Sequence, residues 1–124
     1  MEIEEYKKLA QEESTSFWHL GRREILNEAL GRRLSLGKSY NICDVGCGTG
    51  GNMDFLESWG RVTGVDLSPE ALKFAKRFSF KELVQWDAAQ LPFSEESFDI
   101  VTILDVLEHI PDDNSTIRDI YRIL

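Results

Sequence analysis

The sequence predicts an α/β fold: a parallel sheet of about four strands with helices on both faces. Three observations carry that prediction. From Tyr40 onward, short apolar runs alternate with segments of helical period. The runs lead into acidic or glycine-rich sequence, at Asp44 to Gly51, Asp66, Asp87 and Asp105. The chain has 124 residues, 42% hydrophobic and 10% aromatic, which is enough for one domain with its own core.

Glu4 to Glu13 reads as a short charged helix, and Ser14, Thr15 and Ser16 as a break or cap. A second helix runs from about Phe17 to Leu34, with Ile25, Leu26, Ala29 and Leu30 at helical spacing. Gly37, Lys38 and Ser39 form a turn. Tyr40 to Val45 is the first strand, and four glycines follow it within six positions. Asn52 to Trp59 is a helix closed by Gly60, and Arg61 to Val65 is the second strand. Ser68 as N-cap and Pro69 at the first helical position open the next helix, with Ala71, Phe74, Ala75 and Phe78 on one face. Leu83 to Trp86 is a weak third strand, and Phe98 to Leu104 is the strongest strand of all. Asp112 to Asn114 caps a last helix with Ile117, Ile120, Tyr121 and Leu124 as its stripe. Residues 1–38 thus form an N-terminal helical segment, and residues 39–124 the α/β core.

Composition excludes several classes of function. Lys plus Arg is 14 and Asp plus Glu is 22, a net charge of −8. That balance disfavours nucleic-acid binding by bulk charge and a polybasic membrane anchor. No apolar run approaches the ~18 residues of a membrane span. The stretch Met1 to Ser16 is polar and acidic, unlike a signal or transit peptide. Cys43 and Cys47 make no disulfide framework, and no Cys/His set has zinc spacing, so a reduced cytoplasmic protein without a metal site is expected.

The segment Asp44-Val-Gly-Cys-Gly-Thr-Gly-Gly-Asn52 follows a strand and precedes a helix. Gly46, Gly48 and Gly51 have G-x-G-x-x-G spacing, which allows a tight turn and close approach of backbone to ligand. Asp66 lies 20 residues past Gly46, placed to hydrogen-bond both hydroxyls of a ribose. Asp44 directly precedes Gly46, where a dinucleotide pyrophosphate would be repelled. The ammonium and sulfonium of S-adenosylmethionine would instead be attracted there. Asp87 ends the third strand and can accept from an adenine amino group. An NAD-binding domain is therefore the weaker reading of the motif.

These blocks resemble class I S-adenosylmethionine-dependent methyltransferases of the small-molecule type grouped as type 11. The resemblance rests on Asp44-Val-Gly-Cys-Gly-Thr-Gly50, Gly64-Val-Asp66-Leu-Ser-Pro69, Asp87-Ala-Ala-Gln-Leu-Pro-Phe93, and Phe98-Asp-Ile-Val101 through Asp105-Val-Leu-Glu-His109. It covers residues 39–124 and implies a Rossmann-like sheet, of which this chain supplies the first four of seven strands. It implies that the loop of Gly46, Cys47, Gly48 and Gly50 wraps the methionine part of the cofactor, with Asp44 near its ammonium. Asp66 would take the ribose, Leu67 would pack on the adenine, and Asp87 and the Ala88 N–H would bind the ring. Leu104 and Asp105 would lie beside the methyl group. Residues 1–38 resemble the cap or lid found ahead of the first strand in some of these proteins. There Arg22 or Arg23 would meet the methionine carboxylate, and Phe17 and Trp18 would be either lid aromatics or core.

Methyl transfer is an in-line displacement at an activated carbon, so no nucleophilic Ser or Cys constellation is needed. For a hydroxyl acceptor His109 is the candidate general base, with a structural histidine near a helix end as the competing reading. The expected function is methyl transfer to a small-molecule acceptor. The alternative is a non-catalytic cofactor-binding or protein-interaction module, because the family's Lys-Pro-Gly-Gly turn and last three strands are absent from this sequence. Without a fifth strand, the side of strand 98–104 would be open to self-association or a partner chain.

Overall fold

A computed structural model describes residues 2–86 and 90–124. Four strands, β1 (Tyr40–Val45), β2 (Gly60–Asp66), β3 (Glu82–Gln85) and β4 (Ile100–Ile103), form one parallel sheet in the order β3-β2-β1-β4. The helices are α1 (Ile3–Glu12), α2 (Phe17–Gly31), α3 (Met53–Glu57), α4 (Pro69–Ala75) and α5 (Asp113–Ile123), with a 3₁₀ turn at Leu107–His109. The chain steps outward from β1 to β3, then crosses back to lay β4 on the other side of β1. At such a reversal open α/β sheets form the crevice that binds ligands, here outside the C-terminal ends of β1 and β4.

The alternation of β1 serves two cores. Ile42 joins Met53, Phe55, Leu56, Trp59 and Val62 on one face. Cys43 and Val45 join Val65, Trp86, Leu91 and Ile123 on the other. Ile42, Met53, Leu56 and Ile123 are fully buried, and each such side chain contributes about 1.5–3 kcal/mol. Ser68 caps α4 by accepting from the Ala71 N–H at 3.2 Å, and Asp112 caps α5 by accepting from Ser115 N–H at 3.1 Å.

Both N-terminal helices rest on the core. On α1, the Tyr6 ring stacks on Phe74 at 6.4 Å, and its hydroxyl donates to Ser68 Oγ at 2.9 Å. On α2, Leu26, Leu30 and the following Leu34 pack against the first cluster, and Asn27 accepts from Trp59 Nε1 at 2.7 Å.

Four expectations need correction. The last helix does not bury the stripe of Ile117, Ile120, Tyr121 and Leu124; Thr116 and Ile123 are buried, Ile120 partly so, and the other three are exposed. The true face was hidden because Thr116 is polar, yet its hydroxyl is satisfied by the Asp112 carbonyl at 3.2 Å. On α2, Ile25 and Ala29 face outward. Phe17 and Trp18 are 92% and 68% exposed, which excludes the core reading of these two aromatics. The strongest strand is also shorter than expected. Phe98 lies before β4, where its N–H donates to the Ile123 carbonyl at 3.0 Å.

Candidate functional site

The glycine-rich turn leaves β1 and doubles back at once. The N–H groups of Gly46 and Cys47 both donate to the Val65 carbonyl at the end of β2, at 2.7 and 2.9 Å. Gly46 has φ +74°, and a side chain there would run into Val106. The turn thus presents backbone to the crevice and needs glycine to do so.

Asp66 ties this turn to the start of α4. One carboxylate oxygen accepts from Gly48 N–H at 2.8 Å and the other from Ser68 N–H at 2.9 Å. A carboxylate has about four acceptor sites, so capacity remains for two ribose hydroxyls. Leu67, next in sequence, is exposed beside it, and its carbonyl accepts from Gln85 Nε2 at 3.3 Å.

Asp44 is the most unusual residue of the rim. It is 1% exposed, paired in register between Gly64 and Thr102. Its Oδ1 accepts from Thr102 Oγ1 at 2.8 Å, while Oδ2 is buried without a hydrogen-bond partner among the described residues. Burial pushes its carboxyl up to about 7; Asp66 adds to the rise, and the Thr102 hydrogen bond and Arg22 oppose it. Burial, with Asp44 nearby, also pushes the Cys43 thiol up to about 12 and raises Cys47 further. Both cysteines are free and buried, with burial disfavouring the thiolate, which suits packing and not nucleophilic attack.

From the other side, α2 reaches over the crevice. Arg22 Nη1 donates to the Asp105 carboxylate, and Nη2 to Asn52 Oδ1 at 3.4 Å. Arg22 Nε and His19 Nδ1, three residues apart on α2, are buried without a partner among the described residues. Arg23 turns to Asp54 at 3.4 Å. Asp105, just past β4, has φ +57°. Leu104 is half-buried against the first core cluster. His109 ends the 3₁₀ turn with its side chain 78% exposed, 3.9 Å from the Glu108 carboxylate. Asp87 and Ala88 lie outside the described residues. Among the described residues, no group of three or more His, Cys, Asp or Glu is arranged to hold a metal.

The fold therefore brings Asp44, Gly46, Cys47, Gly48, Gly50, Asp66, Leu67, Leu104, Asp105 and Arg22 to one rim of the sheet. Sequence reading missed Asn52, Glu13 and the bond that ties Glu13 to Thr49. Glu13 sits in an acidic helix end that reads as solvated, yet it is buried and accepts from Thr49 Oγ1 at 2.5 Å. The residues fit a cationic, ribose-bearing ligand. The buried Asp44 Oδ2 has no donor among the described residues, so the group either holds a proton or meets a cation, and Asp66 retains acceptor capacity beside the turn.

Comparison with known proteins agrees. A family model described as a methyltransferase domain matches residues 43–124. The norajmaline N-methyltransferase of Rauvolfia serpentina is 34% identical over 95 residues, which is 69% of this chain and 32% of that protein. The ubiquinone biosynthesis O-methyltransferase of Bordetella avium is 33% identical over 103 residues, 77% of this chain and 39% of that protein. An S-adenosylmethionine-dependent methyltransferase structure from Mesorhizobium loti superposes with a TM-score of 0.65 at 25% identity, covering 78% of this chain and 47% of that one. The chain spans about a third to two fifths of the length of those two curated relatives. With the family model matching about two thirds of its residues, the chain belongs to the class I S-adenosylmethionine-dependent methyltransferases.

Proposed function

We propose that this chain binds S-adenosylmethionine across the rim of β1, β2 and β4 and transfers its methyl group to a small-molecule acceptor. The observation that carries the reading is Asp44: a buried carboxylate with one oxygen unpartnered, beside a glycine turn, suits an ammonium. Asp66 would take the ribose, Leu67 would cover the adenine, and Asp87 and Ala88 would complete the adenine site. The turn of Gly46, Cys47, Gly48 and Gly50 would wrap the methionine part, with Leu104 and Asp105 beside the methyl group. Arg22 would exchange its Asp105 partner for the methionine carboxylate, with residues 1–38 acting as a lid that carries Phe17 and Trp18.

When bound, the cofactor supplies a methyl group already activated on sulfur, so the protein's work is to orient the acceptor and exclude water. His109 is the proposed general base for a hydroxyl acceptor. The relatives are named for both N- and O-methylation, which leaves the acceptor atom open. The outer side of β4, which pairs with no strand among the described residues, would take a second copy or a partner chain. Sedimentation at high concentration tests this, and a strict monomer counts against it. Two free cysteines suit a reducing, cytoplasmic setting.

Calorimetry with S-adenosylmethionine and with S-adenosylhomocysteine tests the binding step. Release of labelled methyl into a panel of small hydroxyl and amine acceptors tests transfer. Binding of neither compound refutes the reading, whereas binding without transfer to any acceptor supports the non-catalytic module instead.

A further inference from the structure

Glu13 lies one residue past α1, between exposed Glu12 and exposed Ser14, yet it is only 7% exposed itself. A buried carboxylate is costly unless it is paired. Here Oε1 accepts from the hydroxyl of Thr49 at 2.5 Å, and Oε2 accepts from Arg77 Nη2 at 3.2 Å. Arg77 also donates to the Ala10 carbonyl at 3.4 Å, and its guanidinium lies 4.7 Å above the Phe78 ring.

These groups converge on the second half of the glycine turn. Thr49 is fully buried with its hydroxyl committed to Glu13. Gly50 has φ +91°, and a side chain there would come within 2.6 Å of Phe78. A side chain on Gly51 would collide with the Glu13 carboxyl group. Three consecutive residues of the turn are thus set against Glu13 or the Arg77–Phe78 pair. The first half is held from β2, through Val65 and Asp66.

We infer that Glu13 is a positioning residue, which holds Thr49 to Gly51 in the shape that receives the cofactor. It makes cofactor affinity depend on the docking of α1 against α4. By linkage, the cofactor in turn stabilises that docking by the same factor. The inference rests on the reading of the glycine turn as the cofactor site. It assigns a binding role to the acidic end of α1, exerted through Thr49 and Gly51 of the turn.

The test is calorimetry of S-adenosylhomocysteine on the full chain, in wild type, Glu13→Ala, Glu13→Gln, Thr49→Val and the Glu13→Ala/Thr49→Val double variant. Glu13→Ala and Thr49→Val should each weaken binding about tenfold, the loss of one charge-assisted hydrogen bond. The double variant should be no weaker than the poorer single one, because both break the same contact. Glu13→Gln keeps an acceptor for Thr49 and should stay within about threefold of wild type. A merely structural role would lower the melting temperature, leave affinity unchanged, and make Glu13→Gln as damaging as Glu13→Ala. If Glu13→Ala fails to fold, the near-isosteric Thr49→Val carries the measurement. Folded variants that bind like wild type overturn the inference alone. Wild type that binds neither S-adenosylhomocysteine nor S-adenosylmethionine overturns the cofactor reading and this inference with it.

Discussion

Replacing Asp44 with asparagine should remove a pH dependence that the wild-type protein carries. Burial is the main cause that moves the Asp44 carboxyl from 3.8 to about 7 in the folded chain. Between those values the folded state holds a proton that the unfolded state has lost. The contribution is therefore fully present below the unfolded value and is lost as pH rises through the folded one. The loss amounts to about 1.4 kcal/mol per pH unit, or about 4 kcal/mol by pH 8. Asparagine has the same shape, cannot ionise, and still accepts from the Thr102 hydroxyl that now bonds Asp44 Oδ1. The advantage of Asp44→Asn over wild type should grow by about 1.4 kcal/mol per unit from pH 4 to 7, then level off. Urea unfolding of both proteins side by side, at several pH values, reads this difference while other titrations cancel. A difference that stays constant between pH 5 and 8 would refute the reasoning. The same substitution should cost cofactor affinity. An ammonium about 4 Å from an ionised Asp44 gains about 4 kcal/mol at an effective dielectric of ~20, enough to offset the penalty that burial places on that charge relative to the unfolded chain. Binding near pH 7 should therefore release a fraction of a proton, visible as a buffer-dependent heat.

Other substitutions probe the rest of the rim. Asp66→Ala should weaken S-adenosylhomocysteine binding by about 1–3 kcal/mol in calorimetry, since it also frees the Gly48 and Ser68 N–H groups. Unchanged affinity would place the ribose elsewhere. Gly46→Ala should destabilise the fold by about 2 kcal/mol or more in chemical denaturation, through positive φ and collision with Val106. Adding Val106→Ala should recover part of that loss. Ser68→Ala removes the cap of α4 and the partner of the Tyr6 hydroxyl, and should cost about 1–2 kcal/mol of unfolding free energy. If His109 is the proposed base, His109→Ala should slow transfer to a hydroxyl acceptor in a turnover assay while leaving cofactor affinity within about twofold, since its side chain is exposed and lies beside Glu108.

The strands were legible because short apolar runs lead into acidic or glycine-rich sequence, and β1 matched its expected span, Tyr40–Val45. The cap of α4 was legible because Ser68-Pro69 is a local signal. Side-chain faces were harder wherever a polar residue is buried with a partner. Thr116 and Glu13 both look solvated in sequence, and both are buried because a distant or backbone group satisfies them. The reverse holds for Phe17, Trp18 and Tyr121, large residues left exposed. The placement of Asp44 and Asp66 beside the glycine turn was legible from position alone. Which oxygen of Asp44 stays unpartnered depends on Thr102, 58 residues away, and spacing carries no such information.

That long-range bond has a consequence for the motion of the protein. Asp44 is sealed from solvent partly by β4, the outermost strand on its side of the sheet. When β4 lifts away, water reaches the carboxyl group and ionisation becomes inexpensive. Between about pH 4 and 7, breathing of β4 is thus coupled to release of a proton from Asp44, and amide exchange in Ile100–Ile103 should accelerate across that window beyond its ordinary base catalysis, with no further gain above it. On the proposed reading, a cation seated against Asp44 would hold that carboxyl ionised and remove the coupling, acting as a bolt across the β1–β4 seam.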